Sequence, residues 1–131
     1  MNRWKDWWDQ SAKDLALARV AVDAGHYEWA TFAAQQSGEK ALKAVILGGG
    51  GDPCGNLLTA LIEALPVEAR VSEGTRDAAR RLDKHYIPSR YPNGFASGFP
   101  GQLYTRGEAE GAIADAESIF EACRGHLPRQ D

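Results

Sequence analysis

The strongest constraint on this chain is the stretch from Gly25 to Gly48, which opens Gly25-His26-Tyr27-Glu28-Trp29-Ala30-Thr31-Phe32-Ala33-Ala34-Gln35-Gln36-Ser37-Gly38-Glu39-Lys40. Placed at about 100° per residue, Ala30, Ala33, Ala34, Ser37, Ala41, Ala44 and Val45 fall on one arc of a helix. All but Val45 are small, so another backbone can approach that side closely. A second arc carries Trp29, Phe32, Gln36, Glu39, Lys40 and Lys43. A plain bundle helix does not need that mixture of aromatic, amide and charged groups. It suits contact with a partner subunit, a nucleotide or RNA.

The rest of the chain reads as further helix. Residues 3–24 place Trp4, Trp8, Ser11, Leu15, Ala18 and Val22 on one stripe, with Trp7 displaced from it. Gly25 ends that helix, and a second runs over about 27–47. The run Gly48-Gly49-Gly50-Gly51-Asp52-Pro53 then breaks the pattern. It is a flexible link and not a phosphate loop, because no strand precedes it and no Lys-Ser/Thr follows. Asn56 is placed to cap a short third helix that turns Leu57, Leu58, Leu61 and Leu65 inward. A fourth helix is expected over 73–86, followed by an irregular stretch, 87–104. Thr105 and Glu108 form a capping-box pair opening the last helix, whose inward stripe is Ala109, Ala112, Ile113, Ala116, Ile119, Phe120 and Cys123. The tail 127–131 is expected to fray. No strand pattern occurs, so the expected fold is an all-α, up-and-down bundle of four to five helices forming one domain over 1–131.

At 131 residues with 44% hydrophobic content the chain is long enough for one real core. Its net charge of −3 gives no overall attraction to nucleic acid, so any basic site must be local. No apolar run is long enough for a membrane helix, and the first residues lack the apolar centre of a signal peptide. Cys54 and Cys123 lie far apart and read as reduced thiols, which with the missing leader points to the cytoplasm. Three scattered histidines show no ligand spacing, so neither a metal nor another cofactor is expected.

The local basic site is the segment from Arg76 to Arg90. It sets Arg76, Arg80, Arg81, Lys84 and Arg90 against only Asp77 and Asp83. Arg76, Arg80 and Lys84 step by four and form a ridge, with Tyr86, Tyr91 and Tyr104 close in sequence. Cations for phosphate and rings for bases are what single-stranded nucleic acid requires. A solvated helix face with an anchored loop has the same composition. Pro92 restricts Tyr91 to an extended backbone, which fixes where Arg90 and Tyr91 point. Arg90 can hold a phosphate, bond to loop carbonyls or pair with Glu39. On the second helix, Gln36, Glu39, Lys40 and Lys43 form either a ligand-facing patch or a set of ordinary i,i+4 pairs.

Three blocks carry a family resemblance. An aromatic residue followed by Phe32-Ala33-Ala34-Gln35-Gln36 and Glu39-Lys40-Ala41-Leu42-Lys43-Ala44 is similar to the HEPN domain family (higher eukaryote and prokaryote nucleotide-binding). Leu82-Asp83-Lys84-His85-Tyr86-Ile87-Pro88-Ser89-Arg90-Tyr91-Pro92 resembles that family's tyrosine-rich segment, and Tyr104-Thr105 leading into the final helix completes the pattern. The resemblance implies a helical homodimer, a nucleotide or RNA ligand, and a nucleotidyltransferase partner in a toxin–antitoxin-like or regulatory system. It also offers an enzymatic alternative, because Arg80-Arg81-Leu82-Asp83-Lys84-His85 matches the Arg-x4-His spacing of the family's metal-independent endoribonucleases. There His85 would move the 2′-hydroxyl proton while Arg80 or Arg81 holds the phosphate. On a regular helix Arg80 and His85 stand about 140° apart, so they converge only if the helix ends near His85 or a second subunit supplies one of them. A third possibility is an assembly dimer with no ligand.

Overall fold

The computed structural model describes residues 2–129. They form α1 (Trp4–Asp23), α2 (Tyr27–Gly48), α3 (Leu58–Glu63), α4 (Glu73–Asp83), a single 3-10 turn (Pro92–Gly94), α5 (Pro100–Leu103) and α6 (Arg106–Arg124). No strand occurs among them. α2 is the central element, packed along α1 on one side and α6 on the other, while α4 lies on α6 and α3 bridges α2 and α4.

The small arc of α2 makes this arrangement possible. Ala30, Ala34, Ala41 and Ala44 have no exposed surface, and Ala33, Ser37 and Val45 are buried with them. Ser11 of α1 donates to the Ser37 carbonyl oxygen at 2.7 Å, so its buried hydroxyl is satisfied inside that interface. Gly38 serves the other side. A Cβ there would lie 2.7 Å from Leu58 Cδ2, so glycine is what lets α3 dock. Trp8 stacks on Phe120 with ring centroids 4.0 Å apart, joining α1 to α6. The whole predicted stripe of α6 is buried, and the Thr105–Glu108 capping box forms in full.

Three local expectations are revised. Asn56 does not cap α3, and Leu57 is half exposed instead of inward. The cap comes from far along the chain: the Asp83 carboxylate accepts from Leu58 N at 2.7 Å and from Thr59 N and Oγ1 at 3.2 and 2.7 Å. α4 stops at Asp83, not at residue 86, and 84–90 continues as tight turns. The stretch expected to be wholly irregular contains the 3-10 turn and α5, both opened by a proline whose missing N–H costs a first turn nothing. Of the tail, Pro128 packs on Gly48, where a Cβ would meet its ring at 2.7 Å. Residues 130 and 131 lie outside the described part. Both cysteines are free; Cys54 is exposed, and burial pushes the Cys123 thiol up to about 12.

Candidate functional site

α4 begins at Ser72, whose hydroxyl accepts from Thr75 N at 3.1 Å. It buries Ala78, Ala79 and Leu82, which turns its arginines outward. Each of these arginines meets a carboxylate. Arg76 reaches Glu63 at 2.6 Å, and Arg80 bonds both Glu73 and Asp77. Arg81 grips Asp115 of α6 with two bonds of 2.9 and 2.8 Å. These pairings hold the Arg80 and Arg81 guanidiniums above their ordinary range, led by the hydrogen bonds to Glu73 and to Asp115. The ridge is therefore a lattice of exposed ion pairs that neutralises its own charge. Lys84, expected as the third member of that ridge, falls just past the end of α4 at Asp83; it is exposed and without a carboxylate within salt-bridge distance among the described residues.

Where α4 ends, the chemistry changes. His85 N still bonds the Leu82 carbonyl oxygen at 3.0 Å, but Ser89 N then turns back to the His85 carbonyl oxygen at 3.2 Å. The imidazole is carried away from the helix direction and towards the start of α6. There Nδ1 lies 2.8 Å from the Tyr104 hydroxyl. Tyr104 is buried and meets Phe95 edge-on at 6.1 Å. Burial lowers the His85 pKa, with Glu108 and Asp115 opposing it and Lys84 adding to it. Burial likewise pushes Tyr104 up to about 12. Neither Arg80 nor Arg81 bonds His85. The link between them is Asp115, which holds Arg81 and whose charge reaches the imidazole.

Arg90 has a different setting. Its Nε donates to the Tyr86 carbonyl oxygen at 3.0 Å, which fixes the plane of the guanidinium. Its central carbon lies 4.4 Å from the Phe32 ring centroid, 4.5 Å from that of Tyr86 and 5.0 Å from that of Tyr91. Arg90 forms no ion pair with Glu39. Its only protein hydrogen bond among the described residues spends one donor, and the four N–H groups of the fork's two ends stay open.

The polar arc of α2 forms a chain of bonds. Asp14 of α1 accepts from Lys40 Nζ, Lys40 also donates to Gln36 at 3.3 Å, and Gln36 donates to Glu39 at 3.4 Å. Glu39 in turn accepts from Lys43 at 3.1 Å, and Lys43 lies 5.2 Å from the Trp7 ring centroid. Glu39 is itself buried, at 5% exposure, so this pair is shielded from solvent. Between α1 and α2 runs an apolar groove of about 610 Å³, lined by Leu17, Val20, Trp29 and Phe32 with Asp14 and Lys40 at one end. Phe32 thus belongs to both the groove and the Arg90 cluster.

The fold therefore brings Arg90, Tyr91, Tyr86 and Phe32 together, brings His85 to Tyr104, and keeps Arg80 and Arg81 apart from both sets. Sequence reading missed Tyr104 as the partner of His85, Asp115 and Asp14 as counter-ions, and Phe32 beneath Arg90. Only Phe32 had a usable signal, since it sits on the polar arc of α2 where a core role does not explain it. Among the described residues no three His, Cys, Asp or Glu side chains are grouped to hold a metal, and no helix is long and apolar enough to cross a membrane.

The chain resembles known proteins over its length. The crystal structure of TT1696 from Thermus thermophilus is 40% identical, covers 97% of this chain and 100% of its own, and superposes with a TM-score of 0.94. ST0689, described as an archaeal HEPN homologue, is 34% identical over 98% of this chain and 100% of its own, with a TM-score of 0.83. MJ1304 of Methanocaldococcus jannaschii, described as a suspected toxin, is 24% identical over 127 residues, which is 90% of this chain and 84% of that protein. The HEPN domain pattern itself matches residues 4–126, from the start of α1 to just beyond α6, and the chain belongs to the HEPN domain family.

Proposed function

We propose that this protein is a nucleotide- or RNA-binding module with a toxin-like role, working as a homodimer beside a nucleotidyltransferase in a toxin–antitoxin-like or regulatory system. The observation that carries the binding assignment is Arg90. A guanidinium held against three aromatic rings, with its fork unspent, matches a phosphate oxygen pair. Tyr91, itself half exposed, offers a face on which a base can stack. Lys84 supplies a second cation on the same run of turns. The toxin-like role follows the resemblance to MJ1304. The nucleotidyltransferase partner rests on the family pattern alone, whereas self-association is supported by the exposed Leu17, Val20 and Trp29 along the α1–α2 groove.

A metal-independent endoribonuclease is the second reading. One observation favours it: α4 ends at Asp83, so the helical separation of Arg80, Arg81 and His85 no longer applies at the imidazole. Its weakness is that both arginines are engaged with carboxylates. End-labelled RNA incubated with the protein in EDTA tests both. Binding without cleavage, lost in Arg90→Ala, supports the module. Cleavage lost in His85→Ala and in Arg80→Ala/Arg81→Ala supports the nuclease. RNA and nucleotides left unbound and intact would refute both readings.

A further inference from the structure

We infer that Tyr104 fixes His85 as the neutral imidazole protonated on Nε2, so that His85 presents a hydrogen-bond donor, and not a base, to a ligand oxygen. The geometry leaves Tyr104 one partner. Tyr104 is buried, at 6% exposure, and its hydroxyl lies 2.8 Å from His85 Nδ1, with no other hydrogen bond to the described residues. A buried phenol keeps its proton and must donate it, and Nδ1 is the available acceptor. Accepting there consumes the ring's lone pair, and the remaining proton of a neutral imidazole then resides on Nε2. Nε2 has no protein partner among the described residues, and no buried polar side-chain atom among them lacks one, so Nε2 is open to solvent.

The surroundings favour the neutral form. Glu108 and Asp115 of α6 face the pair and attract a proton, but Asp115 is already neutralised by Arg81, and Lys84 repels one from the same turn. Burial outweighs the two carboxylates. The acceptor class is an anionic phosphate oxygen of a nucleotide or RNA, a choice that rests on the binding reading above. The tautomer itself does not rest on it.

Long-range proton–nitrogen correlation NMR on the free, uniformly labelled protein at neutral pH decides the tautomer without any mutation. The inference requires a pyridine-like Nδ1 and a pyrrole-like Nε2 for His85; the reverse assignment, or a charged ring, overturns it. In Tyr104→Phe the His85 signals should move towards a mixture of tautomers and its pKa should rise, because the neutral ring loses its donor. Unchanged signals in a folded variant would overturn Tyr104's role. Binding of a short RNA in EDTA then tests the ligand. His85→Gln keeps a donor near the Nε2 position and should hold wild-type affinity, while His85→Ala should lose about tenfold, the scale of one hydrogen bond to a charged group. Equal loss in both variants overturns the donor role. Failure of the wild type to bind RNA or nucleotide at all would instead remove the binding reading, with the NMR result standing apart from it.

Discussion

The two ends of the basic segment, 76–81 and 84–90, carry the same formal charge and differ in how much of it is neutralised. From Arg76 to Arg81 every guanidinium lies against carboxylates, one of them as far away in sequence as Asp115. From Lys84 to Arg90 the setting differs: Lys84 has no carboxylate within salt-bridge distance among the described residues, and Arg90 has aromatic rings and one backbone oxygen for neighbours, so their charge stays available. Both ends read as positive in sequence. Only the second keeps a field that an anion would feel at close range, because exposed ion pairs cancel at distances beyond their own separation. Local charge counting therefore identifies a candidate segment but not the residues within it that are free to act.

Removing one arginine from each end should have very different effects. Arg90→Ala should weaken RNA or nucleotide binding by on the order of tenfold to a hundredfold, and Arg90→Lys should not restore it, since an ammonium lacks the planar fork. Arg80→Ala should leave affinity nearly unchanged; comparable losses from both would show that the ridge and the turn act as one surface. Asp83 marks the border, and Asp83→Ala should cost about 2 kcal/mol in urea unfolding by leaving two backbone N–H groups and the Thr59 hydroxyl without their acceptor.

A smaller effect lies in pH. The His85 pKa is lowered from an ordinary 6.5, so its contribution to stability is complete above that pH and is lost as pH falls through the lowered value. Thermal midpoints measured from neutral to mildly acidic pH should fall, and His85→Gln should flatten that fall. The smallest effect belongs to the ridge itself. Arg80→Ala breaks only the exposed pairs with Glu73 and Asp77, and its urea midpoint should match wild type.

How much of this was legible beforehand depends on the reach of each interaction. The cores of α1, α2 and α6 follow from periodicity because one helix face is decided by residues three and four apart. The capping box at Thr105 is equally local. Asn56 misled because it is a good cap in isolation, while a carboxylate 25 residues away already held the amide of Leu58. The start of α4 at Glu73 follows from sequence, but its end at Asp83 and the His85–Tyr104 pair were hidden for the same reason, the side chains of Asp83 and His85 having partners 25 and 19 residues distant. Sequence offers Arg90 a phosphate, loop carbonyls or Glu39 as partners, and the fold takes the carbonyl of Tyr86 while leaving the fork open.

The cap that Asp83 places on α3 also separates the position of that helix from the length of the chain leading to it. α3 is pinned at its first turn by α4 and at Leu58 by the gap over Gly38, so the stretch from Asp52 to Cys54 carries no duty in aiming it. Lengthening a flexible connection is cheap, about 0.6 kcal/mol for each doubling. That stretch is accordingly the natural place to graft a peptide tag or a reporter domain, far in sequence from the Arg90 turn and with the bundle's own packing left as it stands.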